Sequence, residues 1–233
     1  MQREPRALLF DLDDTLYPLQ QFLMSGFRAV AAHVHVTWGH DPSRALDLLI
    51  AAYGTDRGHE VDVLTDRMAL PAGAAATLIG VIHTHPPAIG LSRPVLALLA
   101  ALRQDWRVGV VTNGRADIQA RKVEALGLRS LVDTVVLASE HGTGLGKPEP
   151  APFLAACRAL GVTPAQTVFV GDDLRCDIAG AHAVGMKTIW LPAVIKARPD
   201  PAQALADLIL PSLDGVPTAA GQLLESRWSS HVA

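Results

Sequence analysis

The sequence predicts an α/β protein whose core is a parallel sheet with helices on both faces, interrupted after its first strand by an all-helical insert. Two observations predict this fold class. From residue 92 onward, short runs rich in Val, Leu and Ile alternate with helical patterns, an order typical of parallel sheets. Between residues 18 and 90 the apolar residues recur at helical spacing instead. We therefore expect a core of residues 1–17 and 91–233 and a helical insert of residues 18–90.

The individual elements follow from apolar spacing and turn signals. A first buried strand is predicted at residues 7–10, where four apolar residues occur together. Helices of the insert are predicted at residues 20–36, 43–53, 60–68 and 73–83. Helices of the core are predicted at 94–102, 116–126, 151–160 and 174–183, and further strands at 107–111, 132–137, 167–170 and 187–191. A last strand at 207–210, a short helix at 219–224 and a tail complete the chain.

Composition excludes several classes of function. The net charge is −3, and Lys and Arg are scattered, so we expect no nucleic-acid polymer as a partner. Cys157 and Cys176 lack metal-ligand spacing, which favours a reducing compartment. The first residues contain no apolar run typical of a signal peptide, and no uncharged stretch reaches membrane-spanning length. We expect a cytoplasmic protein, monomeric or homodimeric, without a membrane partner.

A pair of carboxylates follows the predicted first strand. Asp11 and Asp13 are two residues apart, so in an extended chain their side chains point to the same side. Neighbouring carboxylates repel each other, and a hard divalent cation with oxygen ligands relieves that repulsion. Taken alone, such a stretch is also typical of a simple turn or a helix cap, and that alternative stays open at this point.

Polar residues also follow three later strands of the predicted sheet. Ligands of open α/β sheets bind outside the carboxyl ends of the strands. We therefore expect one crevice that joins Asp11 and Asp13 to these later clusters, which contain Thr112, Asn113, Lys147, Asp172 and Asp173.

These residue types fit the hydrolysis of a phosphate monoester. Asp11 would be the nucleophile and a metal ligand, because Mg²⁺ can neutralise the repulsion between a carboxylate and a phosphoryl group. Asp13 would protonate the leaving oxygen and later activate water. Lys147 would offset negative charge as a compact cation.

The remaining candidates surround this chemistry. Thr112 and the backbone amide of Asn113 would bind phosphoryl oxygens. Asp172 would complete the metal site, Asp177 would support it from one helical turn further on, and Asp173 would cap that helix.

Four segments resemble, in order, the four motifs of the haloacid dehalogenase superfamily. They are Asp11-Leu12-Asp13-Asp14-Thr15, Val111-Thr112-Asn113-Gly114, Lys147-Pro148-Glu149-Pro150, and Gly171-Asp172-Asp173 with Asp177. A single DxDxT segment is moderately specific, whereas four motifs in order are highly specific. The resemblance implies a Rossmann-like core and a type 1 helical cap, residues 18–90, which sets substrate specificity.

The resemblance also implies a magnesium site and a reaction. Mg²⁺ would be bound by Asp11, the backbone carbonyl of Asp13, and Asp172. Haloacid dehalogenases proper lack the second aspartate, so Asp13 favours a phosphatase acting on a small phosphorylated metabolite, either a nucleotide or a sugar phosphate. Gln119 and Lys122 after the second motif are similar to a branch of nucleotidases and N-acylneuraminate-9-phosphatases.

Two other functions remain open from the sequence. A phosphotransferase or sugar-phosphate mutase would pass the phosphoryl group to a second substrate hydroxyl. A non-catalytic regulator would keep the fold and bind a phosphorylated ligand, although it would not need Asp13 as an acid.

Overall fold

The computed structural model describes residues 5–192 and 205–225. The chain divides into two units. One contains Met1–Pro18 and Gly90–Ala233, and the other contains Leu19–Ile89. In the described part of the chain, no helix combines the length and the apolar character that a membrane crossing requires.

Six parallel strands form the sheet of the first unit, which confirms the predicted fold class. In chain order they are β1 (Ala7–Phe10), β2 (Arg107–Thr112), β3 (Thr134–Leu137), β4 (Thr167–Gly171), β5 (Lys187–Trp190) and β6 (Leu208–Ile209). Their order across the sheet is β3-β2-β1-β4-β5-β6. Because every pairing is parallel, the carboxyl ends of these strands lie along the same edge of the sheet.

The α-helices are distributed over both units. In chain order they are α1 (Leu19–Trp38), α2 (Pro42–Thr55), α3 (Glu60–Arg67), α4 (Ala74–Thr84), α5 (Arg93–Leu102), α6 (Ala116–Ala125), α7 (Leu128–Leu131), α8 (Pro150–Leu160), α9 (Gly180–Ala183) and α10 (Val216–Glu225). A π-helical segment, Leu174–Ala179, precedes α9.

Strand β1 lies at the centre of the core. All four of its side chains are fully buried, and since successive side chains of a strand point to opposite faces, both faces of the sheet are covered here. Leu9 belongs to a buried cluster with Phe153 of α8 and Phe169 of β4. Beyond the strand, the backbone N–H of Asp11 donates to the carbonyl of Val170 at 2.9 Å. The sheet pairing thus continues to the first residue of the predicted site.

The second unit is all-helical and has its own core. Helix α1 packs against α2 and α4 through apolar residues such as Val30, Val34 and Leu49. Ser25 of α1 receives a hydrogen bond from the backbone of Ala88 at 2.8 Å and lies 3.1 Å from Nε2 of His85. These bonds fix the segment after α4 to α1.

The structure differs from the sequence predictions in a few local features. Residues 174–179 form a π-helical segment where the pattern predicts an α-helix, because the carbonyl of Asp173 accepts from the N–H groups of both Asp177 and Ile178. The backbone of Val132 caps helix α7, with its N–H donating to the carbonyl of Leu128, and β3 begins at Thr134, two residues later than predicted. The predicted tail beyond residue 225 lies outside the described residues.

Candidate active site

The ammonium group of Lys147 lies at the centre of the candidate site. Its Nζ donates to Asp11 Oδ1 at 2.5 Å, to Asp177 Oδ1 at 2.7 Å and to the carbonyl of Val111 at 2.8 Å. The Lys147 side chain is 1% exposed. Since an ammonium group has three N–H donors, these three partners use all of them. Lys147 therefore joins the ends of β1 and β2 to the segment that follows β4.

Asn113 holds the backbone of Lys147 in place. Its Nδ2 donates to the Lys147 carbonyl at 2.8 Å, and its Oδ1 accepts from the Lys147 N–H at 2.7 Å. Gly146 has a φ of +77°, and a Cβ at that position would lie 2.6 Å from Asn113 Oδ1. A side chain at position 146 would disrupt the two hydrogen bonds between Asn113 and the backbone of Lys147. The amide side chain of Asn113 thus positions Lys147, and phosphate binding by its backbone N–H stays a prediction.

Three carboxylates meet at the carboxyl edge of the sheet. Asp11, Asp172 and Asp177 each present an oxygen, and these oxygens lie within 4.8 Å of one another. Burial raises the pKa of Asp11 to about 7, although the neighbouring Lys147 opposes that rise. Burial also raises the pKa of Asp172 to about 6, helped by the charges of Asp177 and Asp14. Three carboxylates therefore lie together, and one buried ammonium group, that of Lys147, contacts two of them.

This charge balance tests whether a metal ion fits. A hard divalent cation prefers carboxylate oxygens, and it would favour the charged forms of Asp11 and Asp172, whose pKa values burial raises. The carboxylates of Asp11, Asp172 and Asp177 therefore fit Mg²⁺ both in the type of ligand atom and in the charge that the ion would favour. The sequence predicts that Asp177 supports the metal ligands from one helical turn further on, whereas the structure places its carboxylate in the acidic cluster itself.

The π-helical segment brings Asp177 into this cluster. Asp173 caps the segment, with its side chain accepting from the N–H groups of Arg175 and Cys176 at 2.8 and 2.6 Å. The N–H of Asp173 in turn donates to Asp177 Oδ2 at 3.1 Å. A Cβ at Gly171 would lie 2.3 Å from that same oxygen, so the close approach requires glycine. Asp173 therefore has the predicted cap geometry.

Three side chains donate hydrogen bonds to the carboxylate of Asp13. Lys122 Nζ contacts Oδ1 at 2.9 Å and Oδ2 at 2.8 Å. The Tyr17 hydroxyl donates to Oδ1 at 2.6 Å, and Gln119 Nε2 donates to Oδ2 at 3.2 Å. The structure thus holds the side chain of Asp13 by these donors, and its backbone carbonyl remains the predicted metal ligand.

Thr112 is connected to Asp13 through Gln119. Its hydroxyl donates to Gln119 Oε1 at 3.2 Å, and both side chains are buried. From the sequence, Gln119 and Lys122 are similar to a branch of phosphatases, but the sequence assigned no chemical role to them or to Tyr17. One signal was available: Gln119 and Lys122 are three residues apart in a helical segment, so they lie on one face directly after the second motif. Binding of a phosphoryl oxygen by Thr112 stays a prediction.

Known proteins resemble this chain over most of its length. A family model described as haloacid dehalogenase-like hydrolase matches residues 5–185. A glyceraldehyde 3-phosphate phosphatase of Methanopyrus kandleri is 33% identical over 194 residues, which cover 79% of this chain and 82% of that protein. An N-acylneuraminate-9-phosphatase of Homo sapiens is 36% identical over 129 residues, 53% of this chain and 51% of that protein.

A solved structure also matches. The crystal structure of a HAD phosphatase from Thermococcus onnurineus superposes with a TM-score of 0.59 at 24% identity, covering 93% of this chain and 98% of that one. At this identity the likeness shows the fold.

Proposed function

Because the chain belongs to the haloacid dehalogenase-like hydrolases and is a phosphatase of that family, we propose that it hydrolyses phosphate monoesters with Mg²⁺ through an aspartyl-phosphate on Asp11. The observation that carries this proposal is the contact of Lys147 with Asp11 and Asp177, beside Asp172. This arrangement collects the charges that an attacking carboxylate needs in order to approach an anionic phosphoryl group.

Asp11 is the proposed nucleophile. Its carboxylate lies at the tip of the central strand, and the Lys147 ammonium fixes its Oδ1. A bound Mg²⁺, held by Asp11, Asp172 and Asp177 with the predicted carbonyl of Asp13, would neutralise charge between the carboxylate and the phosphoryl oxygens. An oxygen of Asp11 forms a bond to phosphorus, and the bond from phosphorus to the leaving oxygen breaks.

Asp13 is the proposed acid and base. In the first step its protonated carboxyl group gives a proton to the leaving alkoxide, which departs as an alcohol. In the second step its carboxylate takes a proton from water as that water attacks phosphorus, which releases phosphate and restores Asp11. A dehalogenase has no alkoxide to protonate, so the presence of Asp13 supports the phosphatase reaction.

The substrate class is supported by the named relatives. Glyceraldehyde 3-phosphate and N-acylneuraminate 9-phosphate are both phosphate esters of a primary alcohol on a small hydroxylated carbonyl compound. We therefore propose a primary phosphate ester of a sugar-like metabolite as the substrate. The second unit is the proposed cap that selects it.

The test is release of inorganic phosphate from a panel of phosphorylated sugars, trioses and nucleotides, after metal removal and with Mg²⁺ restored. We expect Mg²⁺-dependent release that Asp11→Asn and Asp13→Asn each abolish without loss of the fold. A phosphorylated acceptor formed in place of phosphate would instead support a phosphotransferase. Ligand binding without turnover of any ester would contradict the proposed function and support a binding protein.

A further inference from the structure

We propose that Lys122, Gln119 and Tyr17 are positioning residues that hold Asp13 in the orientation required for both of its proton transfers. This inference rests on the proposed function and extends it to side chains that act through the carboxylate of Asp13. Together we call these three side chains the Asp13 clamp.

Both oxygens of Asp13 are held from more than one direction. Lys122 Nζ spans the carboxylate, at 2.9 and 2.8 Å from its two oxygens. Tyr17 adds a bond to Oδ1 and Gln119 adds one to Oδ2. Since rotation about the bond to the carboxyl group would break bonds on both sides, the clamp defines one orientation of the plane of the carboxylate.

The donors reach Asp13 from two separate elements. Tyr17 lies four residues further along the loop after β1, and the N–H of Asp14 donates to the Tyr17 carbonyl at 2.9 Å, which closes that loop. Asp14 has a φ of +58°, a left-handed conformation that aspartate tolerates better than most residues. Gln119 and Lys122 come from α6, one helical turn apart.

The burial of Lys122 and Asp13 indicates that the clamp does more than attach α6 to the sheet. The Lys122 side chain is 4% exposed, while that of Asp13 is 21% exposed. A buried ion pair is a weak way to stabilise a fold, because apolar side chains of similar volume usually do so as well or better. The pair instead fixes a carboxylate that keeps part of its surface accessible, which is the property a positioned acid and base needs.

The side chain of Gln119 connects Asp13 to Thr112, a residue of the second motif. Its Oε1 accepts from the Thr112 hydroxyl at 3.2 Å while its Nε2 donates to Asp13. The amide therefore sets the separation between the predicted acid and a predicted phosphate ligand.

The test compares Lys122→Met and Tyr17→Phe with Lys187→Met. Lys187 contacts Asp207 at 2.5 Å in a partly buried ion pair at the start of β5, which is the end of the strand opposite the site, so it is a matched control. Two substrates separate the two proton transfers of Asp13. p-Nitrophenyl phosphate releases p-nitrophenolate, which leaves without a proton, whereas glycerol 3-phosphate releases an alkoxide, which requires one.

With glycerol 3-phosphate we expect Lys122→Met to lower kcat by about 100-fold while KM changes less than about three-fold. With p-nitrophenyl phosphate we expect a burst of one equivalent of p-nitrophenolate per site and then slow turnover, because only the hydrolysis of the acyl phosphate needs the clamped base. Tyr17→Phe should show the same pattern with a smaller loss, and Lys122→Arg should recover much of kcat. Lys187→Met should behave as the wild type.

The outcomes separate this inference from the proposed function. An active wild type whose clamp variants match Lys187→Met, or lose affinity in KM alone, would overturn the positioning role. Equal losses with both substrates and no burst would overturn it too. If Lys122→Met does not fold, the conservative Tyr17→Phe variant decides by the same criteria. A wild type inactive on every ester would overturn the proposed function, and this inference with it.

Discussion

At the scale of single residues, Lys147 determines the electrostatics of the site. Its ammonium is the buried cation that both Asp11 and Asp177 contact. Burial opposes its charge, but the two carboxylates outweigh burial and raise the pKa of Lys147 above its ordinary value. Lys147 is therefore charged throughout the pH range in which proteins are stable, and the site depends on that charge.

Replacing Lys147 should reduce both stability and activity. In Lys147→Met, the carboxylates of Asp11 and Asp177 lose their buried cation, and breaking a buried pair in this way costs about 3–5 kcal/mol of unfolding free energy. Denaturant unfolding in the absence of metal measures this cost. The double variant with Asp11→Asn should recover part of it, since one of the stranded charges is removed. Unchanged stability in the single variant would contradict the described ion pairs.

The acidic cluster also predicts how stability depends on pH. The pKa of Asp11 is about 7 and that of Asp172 about 6 in the folded protein, against an ordinary value of 3.8. Between about pH 4 and about pH 7 these two carboxyl groups bind more protons in the folded chain than in the unfolded chain. Their contribution to the unfolding free energy of the metal-free protein therefore falls as the pH rises from about 4 to about 7.

Added Mg²⁺ should therefore raise Tm more at pH 8 than at pH 5.5, because protons compete with the metal at the lower pH. Calorimetry with and without Mg²⁺ at both pH values measures the difference. Asp172→Asn should remove most of the Mg²⁺ effect. An equal increase in Tm at the two pH values would count against a metal site formed by these carboxylates.

At the scale of the elements, the segment that contains β4 and the helix after it shows which features of secondary structure apolar spacing predicts and which it does not. The apolar run predicts β4 within one residue, and the later apolar spacing predicts a helix over residues 174–183. The π-helical turn within that helix depends on bonds from one carbonyl to two N–H groups, which spacing does not encode. Helix α7 is missed for a different reason, since four residues are too few to show a period.

Gly171 tests the geometry of this segment. A Cβ there would lie 2.3 Å from Asp177 Oδ2, so Gly171→Ala should displace the Asp177 carboxylate, weaken Mg²⁺ binding and lower the unfolding free energy by about 1–3 kcal/mol. Gly221→Ala in α10 is the matched control, because a Cβ there meets nothing within 4 Å. Calorimetric titration with Mg²⁺ measures the affinity of both variants. Wild-type affinity in Gly171→Ala would show that this approach does not position Asp177.

At the scale of the whole molecule, the order of the strands assembles the site. Strand β1 pairs with both β2 and β4, so the residues after all three strands lie at neighbouring tips. Sequence reasoning could predict the convergence of Asp11, Lys147 and Asp172, because parallel strands place their carboxyl ends together. It did not predict the contacts of Lys122 and Gln119 with Asp13, since these depend on how α6 packs after folding. The role of Leu19–Ile89 as a substrate-selecting cap stays a prediction.

The central claim is that the carboxylate of Asp11 accepts the phosphoryl group. The most direct measurement is to quench the enzyme during turnover of a phosphate ester with Mg²⁺, reduce it with borohydride and map its peptides by mass spectrometry. Reduction of an aspartyl-phosphate gives homoserine, so we expect homoserine at position 11 and unmodified aspartate at positions 13, 172 and 177. An active enzyme that yields no homoserine, or yields it at another of these positions, would contradict the account.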